Sequence, residues 1–163
     1  MESREKGLEI TPDRTIVKYC HPDALPKNKT YNQTEINGWL ASIDTASGWI
    51  MTEANYPANV TGMVNLINAS TGCNGVLRSC AKLKFLAQYM VTNLNVKSGR
   101  KDSGNLYTLN SSQQSYLALP SPSLLSLIFS KTESKLPDNG TTPTRAQFLI
   151  MQSLFDSINN LNF

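Results

Sequence analysis

The chain has 163 residues, about the length of one domain, and can bury roughly 70% of the surface that its unfolded form exposes. Charged residues make up 17% and hydrophobic residues 40%, which excludes both a disordered charged tail and a membrane-embedded protein. The formal net charge of +3 is mild, and Lys and Arg are scattered apart from Arg78, Lys82, Lys84 and Lys97, Arg100, Lys101; nucleic acid, which needs a concentrated basic stripe, is not an expected partner.

Residues 1–30 carry Pro12, Pro22 and Pro26 without a sustained period and read as an irregular N-terminal arm. Residues 1–7 read as an added start, and 31–163 as a single helical domain. No apolar run approaches the ~20 residues that span a bilayer, so no membrane insertion by this segment is expected. The polar opening carries no signal peptide, and the chain reads as a piece of a longer exported protein.

Helical spacing begins at Thr34 to Ile43, with Ile36, Leu40 and Ile43 behind Thr34 as N-cap and Gly48 as a stop. Gly48 to Glu53 is a short apolar stretch, a helical turn or a strand, broken by Tyr56-Pro57. Asn59 to Ala69 places Val60, Met63, Val64 and Ile67 on one stripe. Asn74 to Asn95 carries the broadest stripe, with Gly99 beyond its end, and is expected to be the central helix, ~30 Å long at 1.5 Å per residue. Ser111 to Leu117 reads as a short helix. Another should start with Ser121 as cap and Pro122 in the first position, burying Leu124, Leu125, Ile128 and Phe129. The last runs from about Pro143 to Asn160 with Thr142 as cap, and Phe148, Met151, Phe155 and Ile158 on its apolar face. The expected fold is all-α: a compact orthogonal bundle of about five to seven helices around a central long helix at about 74–95.

Three cysteines allow one bridge within the chain. On one continuous helix the Cα atoms of Cys73 and Cys80 would lie ~10.5 Å apart, too far for a disulfide. The turn-like Thr71-Gly72-Cys73-Asn74-Gly75 can bring Cys73 near Cys80 or Cys20. A bridge from Cys73 to Cys80 is preferred, leaving Cys20 free or paired outside the segment. His21 is the lone histidine, and adjacent Cys20 and His21 point apart on any regular backbone, so neither a zinc site nor any cofactor is expected.

Nothing in the sequence marks an enzyme. No nucleophile elbow, phosphate loop, dinucleotide fingerprint or metalloprotease motif occurs. Glu35 and Glu53 are the only acids near the tryptophans, and no spacing argument brings them together as a catalytic pair. Asp102-Ser103-Gly104-Asn105 lacks the alternating acids of a calcium loop and reads as a turn. Tyr31, Trp39, Trp49 and Tyr56 form the candidate ligand-binding set, a platform for a sugar ring or a protein, with core packing as the simpler account. Acceptor sequons stand at Asn28, Asn32, Asn59, Asn68, Asn110 and Asn139; they and the Asn, Ser and Thr content suggest export.

Tyr19-Cys20-His21-Pro22-Asp23-Ala24-Leu25-Pro26, then Leu86-Ala87-Gln88-Tyr89 leading into Asn93-Leu94-Asn95-Val96-Lys97-Ser98-Gly99, then Leu154-Phe155-Asp156-Ser157-Ile158-Asn159-Asn160, follow one another in order. On these residues the chain resembles an uncharacterised helical module of secreted prokaryotic proteins that opens with Gly-Tyr-Trp-Lys and a His-Pro pair. The Gly-Tyr-Trp-Lys opening is absent here, as is the cysteine often found after the closing Asn-Asn. The resemblance implies an extracellular, mainly helical appendage of larger surface proteins and transfers no catalytic residue. The expected function is a non-catalytic extracellular or cell-surface module for interaction, adhesion or assembly, with an unknown protein or glycan partner. Rival readings are a small glycan-binding or glycan-hydrolysing domain and a subunit of a polymeric surface structure.

Overall fold

A computed structural model describes residues 7–10, 15–18, 29–31, 33–47, 56–73, 77–136 and 143–160. Among them are six helices: α1 Gln33–Ser47, α2 Val60–Thr71, α3 Arg78–Lys97, α4 Ser111–Leu117, α5 Leu125–Glu133 and α6 Arg145–Asn160. Five short strands accompany them: β1 Gly7–Ile10, β2 Thr15–Lys18, β3 Lys29–Tyr31, β4 Leu106–Tyr107 and β5 Ser123–Leu124. The fold is mainly α-helical and gathers on α3.

The centrality of α3 follows from its composition. Cys80, Ala81, Phe85, Leu86, Tyr89, Met90 and Leu94 are buried together with Thr92 and Asn95, so the helix is enclosed on most of its circumference. Its main neighbour is α6, which presents Phe148, Met151, Leu154, Phe155 and Ile158; α2 and α1 cover its other sides. Phe85, Tyr89, Phe129, Phe148 and Phe155 form the aromatic heart of the core. The Tyr89 ring meets Phe155 edge-on at 5.1 Å, and Phe129 meets Tyr89 edge-on at 5.7 Å, the arrangement favoured by ring quadrupoles.

Within residues 1–30, expected to be an irregular arm, the described residues are strands. β1, β2 and β3 form an antiparallel three-stranded sheet in which Leu8 faces Val17 and Ile16 faces Thr30, and β1 runs beside α3 and α2. Thr15-Ile16-Val17 is a β-branched run, but strands of three and four residues are too short to show a period.

Helix starts are also corrected. α3 begins at Arg78 rather than Asn74: Cys73 and Cys80 are joined in a disulfide, Cα to Cα 5.7 Å, closer than the ~10.5 Å that one continuous helix would impose. α5 begins at Leu125 rather than at Pro122, because Ser123 and Leu124 pair with Tyr107 and Leu106 as a two-stranded ribbon. Its first amides are then taken by loop carbonyls, Leu125 N donating to Asn105 O at 3.0 Å and Ser126 N to Ser103 O at 2.9 Å, so no Ser121 cap is needed. Ser121 instead accepts from Leu109 N at 2.8 Å. The cap of α6 is Thr144 rather than Thr142: Gln147 N donates to its hydroxyl and Thr144 N donates to the Gln147 side chain, a capping box.

Two glycines meet specific demands. Gly99 adopts φ 83° just beyond α3, where a Cβ is disfavoured. Gly62 lies so close to the Pro57 carbonyl oxygen that any Cβ would collide with it.

Candidate functional site

Two of the four aromatic side chains, Trp39 and Tyr56, lie among the described residues. Trp39 on α1 and Tyr56 ahead of α2 are half-buried and pack against the core, so much of each ring serves packing. Tyr31 lies in β3; its side chain and all of Trp49 fall outside the described residues. Glu35 is exposed on α1, while Glu53, Cys20 and His21 also lie outside the described residues. Among the described residues, no group of three or more His, Cys, Asp or Glu side chains is placed to hold a metal ion. No helix there is long and apolar enough to cross a membrane.

Several basic residues are engaged in the fold. Arg78 donates to the Pro143 carbonyl at 2.8 Å and lies over the Phe148 ring at 5.5 Å, fastening the start of α3 to the start of α6. Lys84 donates to the Ser70 carbonyl at the end of α2 at 2.8 Å. Lys101 is buried, at 5% exposure; desolvation, with Arg100 beside it, pulls its ammonium down to about 8. It sits in the loop that leads into β4, where the Tyr107 phenol is pushed up chiefly by burial. Asp102 closes this loop as an Asx turn, accepting from Gly104 N at 2.8 Å.

The sequons divide by role. Asn59 is half-buried and caps α2, accepting from Gly62 N at 2.8 Å. Asn68 and Asn110 are exposed, and Asn28, Asn32 and Asn139 lie outside the described residues.

Among the described residues, hollow surface open to a ligand lies between α4 and α6. One open hollow of about 320 Å³ runs from Asn110 and Gln113 on α4 to Arg145, Ala146, Leu149 and Ser153 on α6. A second, of about 430 Å³, is walled by Ser111, Ser115 and Tyr116 on α4 and by Gln147 on α6. Ser112 and Ile150 line both, and the two adjoining hollows are taken together as the α4–α6 trough. Its walls are fixed by capping. In α4, the Asn110 side chain accepts from Gln113 N at 2.9 Å while the buried Gln113 side chain accepts from Asn110 N, and Leu117 is buried at the other end. Ala118 then terminates α4 in the left-handed region, φ 54° and ψ 49°. Tyr116 is half-buried, its phenol pushed up by burial, and the Lys135 ammonium stands 5.0 Å from its ring centre.

The residues lining the trough supply hydroxyls, carboxamides and one guanidinium around a small apolar floor, and none of them carries a carboxylate. Such a surface can accept and donate hydrogen bonds. It holds no general base among those residues. Sequence reasoning missed it, although two signals were present. Ser111, Ser112 and Ser115 lie together on one short helix, and Leu149 and Ile150 stand off the Phe148–Met151–Phe155 stripe of α6.

Comparison of the chain with protein families, with curated proteins and with solved structures finds no match.

Proposed function

We propose that the chain is a non-catalytic interaction module that works outside the cell or at its surface, and that it engages its partner through the α4–α6 trough. The observation that carries this reading is the trough lining: hydroxyls, carboxamides and the Arg145 guanidinium on two capped helices, arranged around Leu149 and Ile150. Recognition sites commonly combine a small apolar floor with a few placed polar groups. Export is supported by the Cys73–Cys80 disulfide, since such bridges persist mainly in oxidising compartments, and by the exposed sequon at Asn68. The resemblance of residues 19–160 to secreted helical modules points the same way.

The test uses Ala146→Trp, which places an indole in the trough from an exposed position in the first turn of α6. The unsubstituted domain should be retained on cell-envelope preparations of its source, and the variant, with unchanged melting, should be lost from them. Equal retention of both would overturn the reading.

One observation favours a second reading, a subunit of a polymeric surface structure. Leu106 and Leu124 face each other across the β4–β5 ribbon and are 57% and 36% exposed, whereas their neighbours Tyr107 and Ser123 are buried. Neighbouring exposed leucines favour association. Sedimentation over a range of concentrations separates the readings: association abolished by Leu106→Ser supports assembly, and a monomer throughout removes it.

A further inference from the structure

A glycan attached to the chain must be borne by the finished fold, and the three described sequons differ in the room they leave for one. Asn59 is half-buried, and its side-chain oxygen caps α2 by accepting from Gly62 N at 2.8 Å. Asn110 caps α4 by accepting from Gln113 N at 2.9 Å, and it also lines the first hollow, so a sugar chain there would stand across the surface proposed for the partner. Asn68 carries neither duty. It is exposed, it lines neither hollow, and its carboxamide has no hydrogen-bond partner among the described residues. Thr61, Asn65 and Gly72, which share its side of α2 at helical spacing, are exposed as well, so the surface around it is neutral and open.

We infer that Asn68 is a glycan acceptor, joined through its side-chain nitrogen to an oligosaccharide during export. This inference rests on the reading of the chain as exported, which the Cys73–Cys80 disulfide supports independently of any sequon. The donor is a lipid-linked pyrophosphate oligosaccharide. Asn68 Nδ2 bonds to the anomeric carbon of the first sugar and loses one proton, the bond from that carbon to the pyrophosphate oxygen breaks, and the lipid pyrophosphate leaves with the electron pair. Ser70 supplies the hydroxyl two residues on that the acceptor motif requires. In the folded chain Asn68 and Ser70 both lie within α2, about 200° apart around the helix axis, and the Ser70 hydroxyl donates to the Ile67 carbonyl at 2.8 Å. The two groups therefore meet a transferase together only before α2 forms, so the transfer belongs to the unfolded chain as it is exported. Once α2 has formed, the sugar points away from the core, because the buried Met63 and Leu66 occupy the opposite side of the helix.

The experiment is glycopeptide mass spectrometry of the intact chain recovered from its source, with electron-transfer fragmentation, which leaves a sugar on the residue that carries it. The expected result is an oligosaccharide mass on Asn68 and none on Asn59 or Asn110. Asn68→Gln and Ser70→Ala should each remove that mass, the first by deleting the acceptor nitrogen and the second by deleting the motif hydroxyl while Asn68 stays in place. Ser70→Thr, which keeps a hydroxyl at that position, should retain it. An exported chain with Asn68 bare, or the same sugar mass on Ser70→Ala as on the parent, would overturn the inference and leave the reading of the chain as exported intact. Sugar on Asn59 or Asn110 to the same extent as on Asn68 would overturn the selection among the three. A chain confined to the cytosol and carrying no sugar would overturn the inference and the export reading together.

Discussion

The Asn159 carboxamide of α6 is the polar joint between the two principal helices: its nitrogen donates to the Gln88 side-chain oxygen on α3 at 2.8 Å and to the Gln88 carbonyl at 3.1 Å. Its oxygen accepts from the Asn95 nitrogen at 3.0 Å and from the Thr92 hydroxyl at 2.9 Å. Thr92, Asn95 and Asn159 are at most 1% exposed, so this network specifies one register of α6 against α3. Asn159→Ala would remove both halves of the joint and strand buried donors and acceptors. A loss of about 2–4 kcal/mol in denaturant unfolding is expected. A change below 1 kcal/mol would mean that water replaces the side chain readily.

Lys101 should make stability depend on pH in the alkaline range. Its folded value, about 8, lies below the ordinary 10.5, so the unfolded chain binds more protons between those values. Stability contributed by this group therefore rises with pH from about 8 to about 10.5, and the full penalty applies below pH 8. The displacement corresponds to roughly 3 kcal/mol. Lys101→Met should be more stable than the parent at pH 7, with the difference shrinking by pH 10. Paired unfolding curves at the two pH values check this, and a pH-independent difference would contradict it.

Reducing the Cys73–Cys80 bridge, or replacing Cys73 by Ser, should lower stability by about 2–3 kcal/mol from the entropy of the small ring it closes. The exposed Leu77 and the start of α3 lie within that ring, so hydrogen exchange should accelerate at the N-terminal turn of α3 before the rest of the helix.

Ala118 and Gly62 predict opposite responses to the same exchange of small residues. Ala118→Gly relieves a left-handed alanine at an exposed helix end and should raise stability by up to about 1 kcal/mol. Gly62→Ala forces α2 away from Pro57 and should cost about 1–3 kcal/mol. Thermal melting of the two variants tests both signs.

The helical half was legible in the sequence where periodicity and capping coincide. Ser111–Leu117 is delimited by Asn110 on one side and a left-handed residue on the other, and the α3 stripe includes the buried Cys80, Leu86, Met90 and Leu94, whereas the buried Ala81, Phe85 and Tyr89 lay off it and Leu77, which was on it, is exposed. Tertiary constraints governed what was missed. Ser123 and Leu124 obey the ribbon with Leu106 and Tyr107, so the local cap signal at Ser121 did not decide the start of α5, and the Cys73–Cys80 disulfide goes with a start of α3 later than Asn74. The choice of Thr144 over Thr142 turns on Gln147 three residues later, a reciprocal cap that a single-residue reading overlooks. Aromatic residues drew attention to Trp39 and Tyr56, yet they largely serve the core edge. The trough arises from two helices distant in sequence, Ser111–Leu117 and Arg145–Asn160, so its location is a property of the packed fold.

Hydroxyl-radical footprinting of the domain bound to envelope preparations tests the central claim most directly, because Tyr116 and Leu149 are partly accessible side chains within the trough. The trough account predicts that both are protected on binding while Leu106 and Leu124 keep their reactivity. Protection confined to Leu106 and Leu124, with Tyr116 and Leu149 unchanged, would contradict it.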